Sequence, residues 1–149
     1  MYRAGDLSGM VDCVFCAILD GEIPSRTVHE DEDTFAFLDV NPLTRGHTLV
    51  VPKDHHERVS DLPADTRDAV FSTLGRLAPV VERAVDADGV TVGMNDGTAA
   101  GQEVPHVHGH LVPRSEGDGV GAIHSLRWPR PELDDDALDD VQAAIRDAR

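Results

Sequence analysis

Apolar positions change their period along the chain. Between Pro63 and Val85, the residues Val70, Leu74, Leu77, Val81 and Val85 recur at steps of three and four, which predicts one long helix with a single apolar face. Pro79 falls inside that stretch. Because proline has no amide proton and crowds the preceding turn, it is expected to kink the helix or end it early. Elsewhere the apolar residues come in short runs bounded by turn formers, as strands do. Five are predicted: Arg26–His29 and Thr34–Leu38, joined as a hairpin by Glu30-Asp31-Glu32-Asp33; Thr48–Val51, after Asn41-Pro42 and the Arg45-Gly46 corner; Val90–Met94; and Val107–Val112. A frayed, glycine-containing start at Met1–Met10 precedes a short apolar helix or turn at Cys13–Leu19, closed by Asp20-Gly21. After a flexible Gly117–Gly121, Trp128-Pro129 is an apolar anchor, and Leu138, Val141 and Ile145 suit a short amphipathic helix. Strands and helix mix without regular β-α-β alternation, so the expected class is α+β with an antiparallel sheet.

A length of 149 residues fits a single domain. No apolar run approaches the roughly 20 residues needed to cross a bilayer, and the segment up to Asp12 lacks a signal peptide's apolar stretch, so a soluble, cytoplasmic protein without a membrane partner is expected. The net charge is −15, from 28 Asp plus Glu against 13 Lys plus Arg, and Lys53 is the lone lysine. That balance argues against a nucleic-acid partner. It reads as adaptation to a salty, halophilic cytoplasm, where a Debye length of about 3 Å near 1 M salt hides distant carboxylates from a bound phosphate. The two cysteines, Cys13 and Cys16, stand as Cys-x-x-Cys, a spacing open to a metal site or a redox pair.

Three of the eight histidines, His106, His108 and His110, occupy alternate positions of Val107–Val112 and its approach. In a strand they share one face, with Val107, Gly109 and Leu111 turned to the core. His106 and His110 would then lie about 13 Å apart, too far to bind one metal together, so at least one has another task. Imidazole can act as nucleophile, as proton donor or acceptor, or as hydrogen-bond donor to phosphate. A histidine-rich surface strand or a His-x-His chelate is the bland alternative. The loop Asn95-Asp96-Gly97-Thr98-Ala99-Ala100-Gly101 has small residues that let backbone approach a ligand.

His106 through Val112 resembles the histidine-triad signature, His-φ-His-φ-His-φ-φ with φ hydrophobic, from which Gly109 is a small departure. The likeness continues through Phe15–Pro24, Ala36–Asp39 and Gly46–Lys53, so it covers Cys13 to Arg114, with the core at about 12–114 and an extension at 115–149. It implies a five-stranded antiparallel sheet with one long helix and short helices, dimerising into a ten-stranded sheet. It implies a small-molecule nucleotide substrate: the middle histidine, His108, attacks the α-phosphorus, forms a nucleotidyl-histidine and releases the nucleoside monophosphate after hydrolysis. His110, His106, His47 and Asn95 would orient it or stabilise phosphate charge, joined by backbone amides near Gly101 and Gln102. Asp39 would accept the ribose hydroxyls, although an aspartate beside Asn41-Pro42 also suits a turn. Phe15, Ile18 and Phe37 would wall the base. Glu103 stands where phosphoramidate hydrolases of the family carry a hydroxyl residue, and it reads as an acid, an amine binder or a solvated charge.

Relatives with Cys-x-x-Cys often bind structural zinc, and the resemblance implies Cys13, Cys16, His55 and His106 as ligands, with the adjacent His56 an alternative third. No organic cofactor is implied. The family reading is a nucleoside phosphoramidate hydrolase or related nucleotidyl transferase. The alternatives are a dinucleoside polyphosphate hydrolase and a non-catalytic nucleotide- or zinc-binding interaction protein. Trp128-Pro129 resembles a family element that in some members reaches the neighbouring subunit's site; a local anchor is the other reading.

Overall fold

A computed structural model describes residues 13–149. The expectation for Met1–Met10 lies outside the described residues. Two compact units are present, one ending at Asp118 and one spanning Gly119–Arg149.

The first unit is built on a five-stranded sheet of order β1-β2-β3-β5-β4, with antiparallel neighbours throughout. Its strands are β1 (Thr27–Glu30), β2 (Thr34–Leu38), β3 (Thr48–Pro52), β4 (Gly89–Met94) and β5 (Gly109–Arg114). β2 and β3 are buried on both faces, and their register explains how. Phe35 pairs with Val51 and Phe37 with Leu49, placing four large side chains on one face, while Ala36 opposite Val50 serves the other. The first face packs on helix α1 (Val14–Leu19), with Cys13, Phe15 and Cys16 in the cluster. The second packs on α2 (Ala64–Ala84) through Val70, Leu74, Val81 and Leu111.

A polar lock fixes the β1–β2 hairpin. Asp31 accepts the Thr34 amide at 2.8 Å, the Asp33 amide at 3.0 Å and the Thr34 hydroxyl at 3.0 Å, with His29 Nε2 at 2.9 Å. Burial alone would raise the Asp31 carboxyl, but the bonds from His29, Thr34 and Asp33 outweigh it and hold the group well below the usual carboxylate range. The Thr34 and Thr73 hydroxyls meet at 3.0 Å and tie the hairpin to α2.

Two expectations need correction. Pro79 does not end α2, which runs on to Ala84 with Val81 buried beyond it. Interior proline costs about 3 kcal/mol. Burial of Val81, with Leu77 and Ala78 partly buried against the same core, recovers a comparable amount at roughly 1.5–3 kcal/mol per large side chain. Secondly, β5 begins at Gly109 rather than Val107, so His106 and His108 precede the strand. The amide of Val107 pairs instead with the His56 carbonyl at 2.7 Å.

In the second unit, α3 (Asp135–Ala148) is capped by Asp134, whose carboxylate accepts the Ala137 amide at 2.8 Å. Its apolar residues Leu138, Val141 and Ile145 are exposed. The Trp128 indole donates to the Ile123 carbonyl at 3.1 Å, a bond within this unit.

Candidate active site and metal centre

The three triad histidines diverge to two centres, because only His110 lies in the strand. Leu49 pairs with His110, which puts the His110 ring on the α1 face of the sheet. His47, just before β3, meets it there: His47 Nε2 and His110 Nδ1 are 2.9 Å apart. The Leu43 amide donates to His47 Nδ1 at 3.1 Å, so the neutral His47 ring carries its proton on Nε2 and donates to His110. His110 Nδ1 is therefore the acceptor and its Nε2–H faces outward. A backbone amide thus sets the direction of a relay ending in an N–H donor.

His108 is held from its own main chain. Its Nδ1 lies 2.8 Å from the His106 carbonyl, and since a carbonyl only accepts, Nδ1 carries the proton and Nε2 keeps a lone pair. Among the described residues no buried side-chain nitrogen or oxygen lacks a partner, and Nε2 has none, so it opens to solvent although the residue is 8% exposed. The ring packs edge-on against Phe15 at 5.0 Å and His110 at 5.1 Å between centroids. Phe15 also meets Phe37 at 5.6 Å. Phe15 is thus a nearly buried support of the His108 ring, backed by Phe37, with Ile18 partly buried beside them.

Burial, followed by the neighbouring His108 and His47, pushes His110 down to about 4 from its ordinary 6.5, with Asp39 opposing. His47 is lowered by burial too, again against Asp39. Asp39 forms the expected turn and also reaches the triad side of the sheet. Its Oδ1 accepts the Asn41 amide at 2.9 Å, forming the turn, while Oδ2 stands 3.7 Å from His47 Nδ1 at the edge of the site. A cleft of about 590 Å³ lined by Arg26, Leu38, Asp39, Val40 and Pro42 adjoins it.

Opposite, the Met94–Gly109 pairing brings Asn95 out of β4 beside His108. The following loop departs from expectation. The Gly101 amide donates to the Thr98 carbonyl at 3.0 Å and the Gln102 amide to Gly97 at 3.1 Å, so neither is directed at the site. Gln102 is an internal brace: its Oε1 accepts the Gly97 amide at 2.7 Å, and its Nε2 donates to the carbonyls of Glu57 at 2.8 Å and Val104 at 2.9 Å. Glu103 is exposed.

The second centre gathers Cys13, Cys16, His55 and His106. His106 Nε2 donates to the Pro52 carbonyl at 2.9 Å, leaving the Nδ1 lone pair turned to the cysteines. That nitrogen lies 3.4 Å from Cys13 Sγ, 3.6 Å from Cys16 Sγ and 3.2 Å from His55 Nδ1, and Cys16 Sγ is 3.2 Å from His55 Nδ1. Tetrahedral zinc with ordinary bond lengths needs edges of about 3.4 Å between nitrogens and about 3.6 Å between sulfur and nitrogen. The four donors match that frame, and His55 rather than His56 stands in the cluster. Burial, then the Cys13 thiol, pushes the Cys16 thiol up to about 12; a coordinated cation reverses that by deprotonating it outright.

Sequence reasoning missed the carbonyls of Pro52 and His106 and the amide of Leu43. These are main-chain groups with no side-chain signature; only the resolved contacts reveal them.

The HIT domain family matches residues 20–117. An adenylylsulfatase of Arabidopsis thaliana is 37% identical over 135 residues, 91% of this chain and 68% of that protein. An adenosine 5'-monophosphoramidase of Candida albicans is 31% identical over 146 residues, 95% of this chain and 93% of that protein. The crystal structure of a zinc-bound histidine triad family protein from Mycobacterium smegmatis superposes with a TM-score of 0.71 at 38% identity, covering 93% of this chain and 99% of that one. With its triad, its five-stranded antiparallel sheet and a domain match over most of its length, the chain belongs to the HIT domain, or histidine-triad, family.

Proposed function

We propose that the protein is a nucleotide hydrolase that cleaves at the α-phosphorus of a purine nucleoside phosphoramidate-type substrate through a covalent nucleotidyl-His108. One observation carries this reading: His108 holds its Nδ1 proton against the His106 carbonyl and presents the Nε2 lone pair beside the outward N–H of His110. Nε2 attacks phosphorus, and the bond from phosphorus to the leaving nitrogen or oxygen breaks, the leaving group taking a proton from solvent that the attacking water of the second step returns. Water then attacks the same phosphorus, the bond to Nε2 breaks and the nucleoside monophosphate leaves. His110 Nε2–H and the Asn95 amide donate to the phosphate oxygens as charge gathers there, the kind of aimed donor that lowers a barrier by several kcal/mol. The Asp39 carboxylate accepts from the ribose. The named activities of the two relatives, on an adenylyl sulfate and an adenosine phosphoramidate, support a nucleoside 5'-phosphoryl substrate.

Cys13, Cys16, His55 and His106 would hold zinc, which when bound braces three distant segments of a small domain. The reading rests on the match of the four donors to a tetrahedral frame.

The test is His108→Ala against wild type with adenosine phosphoramidate, adenylyl sulfate and diadenosine tetraphosphate. Loss of the nucleophile should cost at least about 1,000-fold in kcat, and quenching wild type in alkaline denaturant, where a P–N bond survives, should trap phosphorus on a histidine. Wild type inert on all three substrates, or a variant that keeps pace with it, overturns the reading.

A further inference from the structure

The loop that carries Asn95 is held by a clamp outside the triad. Arg58 donates from Nε to Asp96 Oδ1 at 3.1 Å and from its terminal nitrogen to Asp96 Oδ2 at 3.4 Å, a two-pronged contact that Lys cannot reproduce. The Val59 amide adds a bond of 2.9 Å to the same Oδ1. Both partners show a consistent effect: bonding to Asp96 raises the Arg58 guanidinium, and bonding to Arg58 lowers the Asp96 carboxyl. The guanidinium also lies over the next residue. Gly97 has φ +96, and a Cβ built on it would come 3.0 Å from Arg58 Cζ. Glycine is required there for both its backbone angle and the close approach of the arginine. From Gly97 the bracing passes into the loop through its amide to Gln102 Oε1, and back to the Arg58 segment through Gln102 Nε2 and the Glu57 carbonyl.

The residue next to Asp96 is Asn95, whose side-chain nitrogen lies 3.9 Å from where a Cβ on Gly101 would sit. The amide of Asn95 is therefore aimed by a loop whose first turn is fixed at Asp96 and whose far end is fixed at Gln102.

We propose that Arg58 is a positioning residue for the phosphate-side loop, acting through Asp96 to aim the Asn95 amide at the reacting phosphate. This rests on the hydrolase reading given above. An exposed ion pair adds little to folding stability, so the side chain is free to be removed without loss of the fold. Its effect belongs in the transition state. A donor misplaced by about 1 Å loses most of its worth to the developing charge, and such shifts cost up to about 100-fold in rate. Ground-state affinity, shared with the apolar cleft and Asp39, changes much less.

The test compares Arg58→Ala, Arg58→Lys, Asp96→Ala and the double alanine variant, with adenosine phosphoramidate as the probe. Arg58→Ala should lower kcat by about 10- to 100-fold with KM moved by less than about 3-fold, at an unchanged Tm. Arg58→Lys should restore only part, since an ammonium cannot fork. The double variant should be no slower than Asp96→Ala. Independently of turnover, amide exchange at Gly97 should quicken by about 10-fold in Arg58→Ala while β3 is untouched, because the bond to Gln102 is local. The proposal falls if Arg58→Ala keeps kcat within about 2-fold of wild type, if the two single losses multiply in the double variant, or if Gly97 exchange is unaltered. A wild type inert on every nucleotide refutes the hydrolase reading instead; the exchange measurement still decides whether the clamp exists.

Discussion

Gly109 sits between His108 and His110, at a position where the triad signature has a hydrophobic residue, and the structure gives a reason. A Cβ on Gly109 would meet the Cδ1 and Cδ2 atoms of Leu74 at 2.7 and 2.8 Å and its Cγ at 3.2 Å. Leu74 comes from α2, is 4% exposed and is packed among Ala36, Val50 and Leu111. It fills the volume that a larger residue at 109 would occupy. Gly109→Ala is therefore overpacked. Insertion of a methyl into such a core costs about 1–3 kcal/mol, and the entropy gained by replacing glycine at a permitted backbone angle returns about 0.4–1 kcal/mol. The net expectation is a loss of about 1–2 kcal/mol, or about 3–6 °C in Tm for a chain of this size.

The second arm of the experiment makes the argument strict. Leu74→Ala alone should cost about 2–5 kcal/mol by opening a cavity under the sheet. In that background the new methyl at 109 enters vacated space, so Gly109→Ala should become neutral or stabilising by about 0–1 kcal/mol. Urea unfolding of the four proteins, at matched zinc and protein concentrations, measures the cycle. If the alanine at 109 costs the same in both backgrounds within about 0.5 kcal/mol, the steric account is wrong.

Two further outcomes follow from the buried nitrogens and thiols. Protein purified without chelator should carry about one zinc per chain, and Cys16→Ser should lose it and melt about 10 °C lower, since three segments lose their common tie; metal below about half an equivalent in the wild type would sink the zinc assignment. For pH, His110 sits at about 4 in the folded chain against 6.5 in the unfolded one, so the unfolded state binds the proton first. Stability should fall by up to ~3 kcal/mol as pH drops from about 6.5 to about 4, with His47 acting in the same sense and His110→Gln showing a shallower slope. A wild-type unfolding free energy that stays flat between pH 7 and 4.5 would contradict the burial argument.

Much of the fold was legible because the core strands announce themselves. β2 occupies Thr34–Leu38 as the apolar run predicts, and the long helix ends at Ala84, one residue short of the last apolar position in its pattern. The Cys13, Cys16, His55 and His106 cluster was legible through the family resemblance, and the geometry brings His55 rather than His56 into it. Two failures share one cause. Alternation puts the fifth strand at Val107–Val112 with His106 on its approach, and Pro79 reads as a kink or an early end, because local pattern carries no information about distant partners. His106 is drawn out of the strand by Pro52 and the cysteines, while Val81 holds α2 to the sheet beyond the proline. The loop amides differ for a related reason: the resemblance implies amides near Gly101 and Gln102 on the phosphate side, but a short turn closed by Thr98 and Gly97 consumes both.

The charge of −15 and the proposed phosphate chemistry fit together through the protonation state of the inner histidines. A cationic site would gain attraction for phosphate in dilute buffer and lose much of it to screening as salt rises. Here His47 and His110 are depressed by burial, so the donors are neutral N–H groups with a direction set by hydrogen bonds. Protonating His110 would put a hydrogen on Nδ1, against the hydrogen already offered by His47 Nε2 at 2.9 Å, and the relay from Leu43 would break. Keeping the pair neutral is thus a condition for the relay from Leu43 through His47 to His110 to hold. Burial supplies that condition, at the expense of stability in acid. Phe15, Phe37 and Leu49 pack beside these rings, while the His106 carbonyl and the Leu43 amide fix which nitrogen of His108 and of His47 carries the proton.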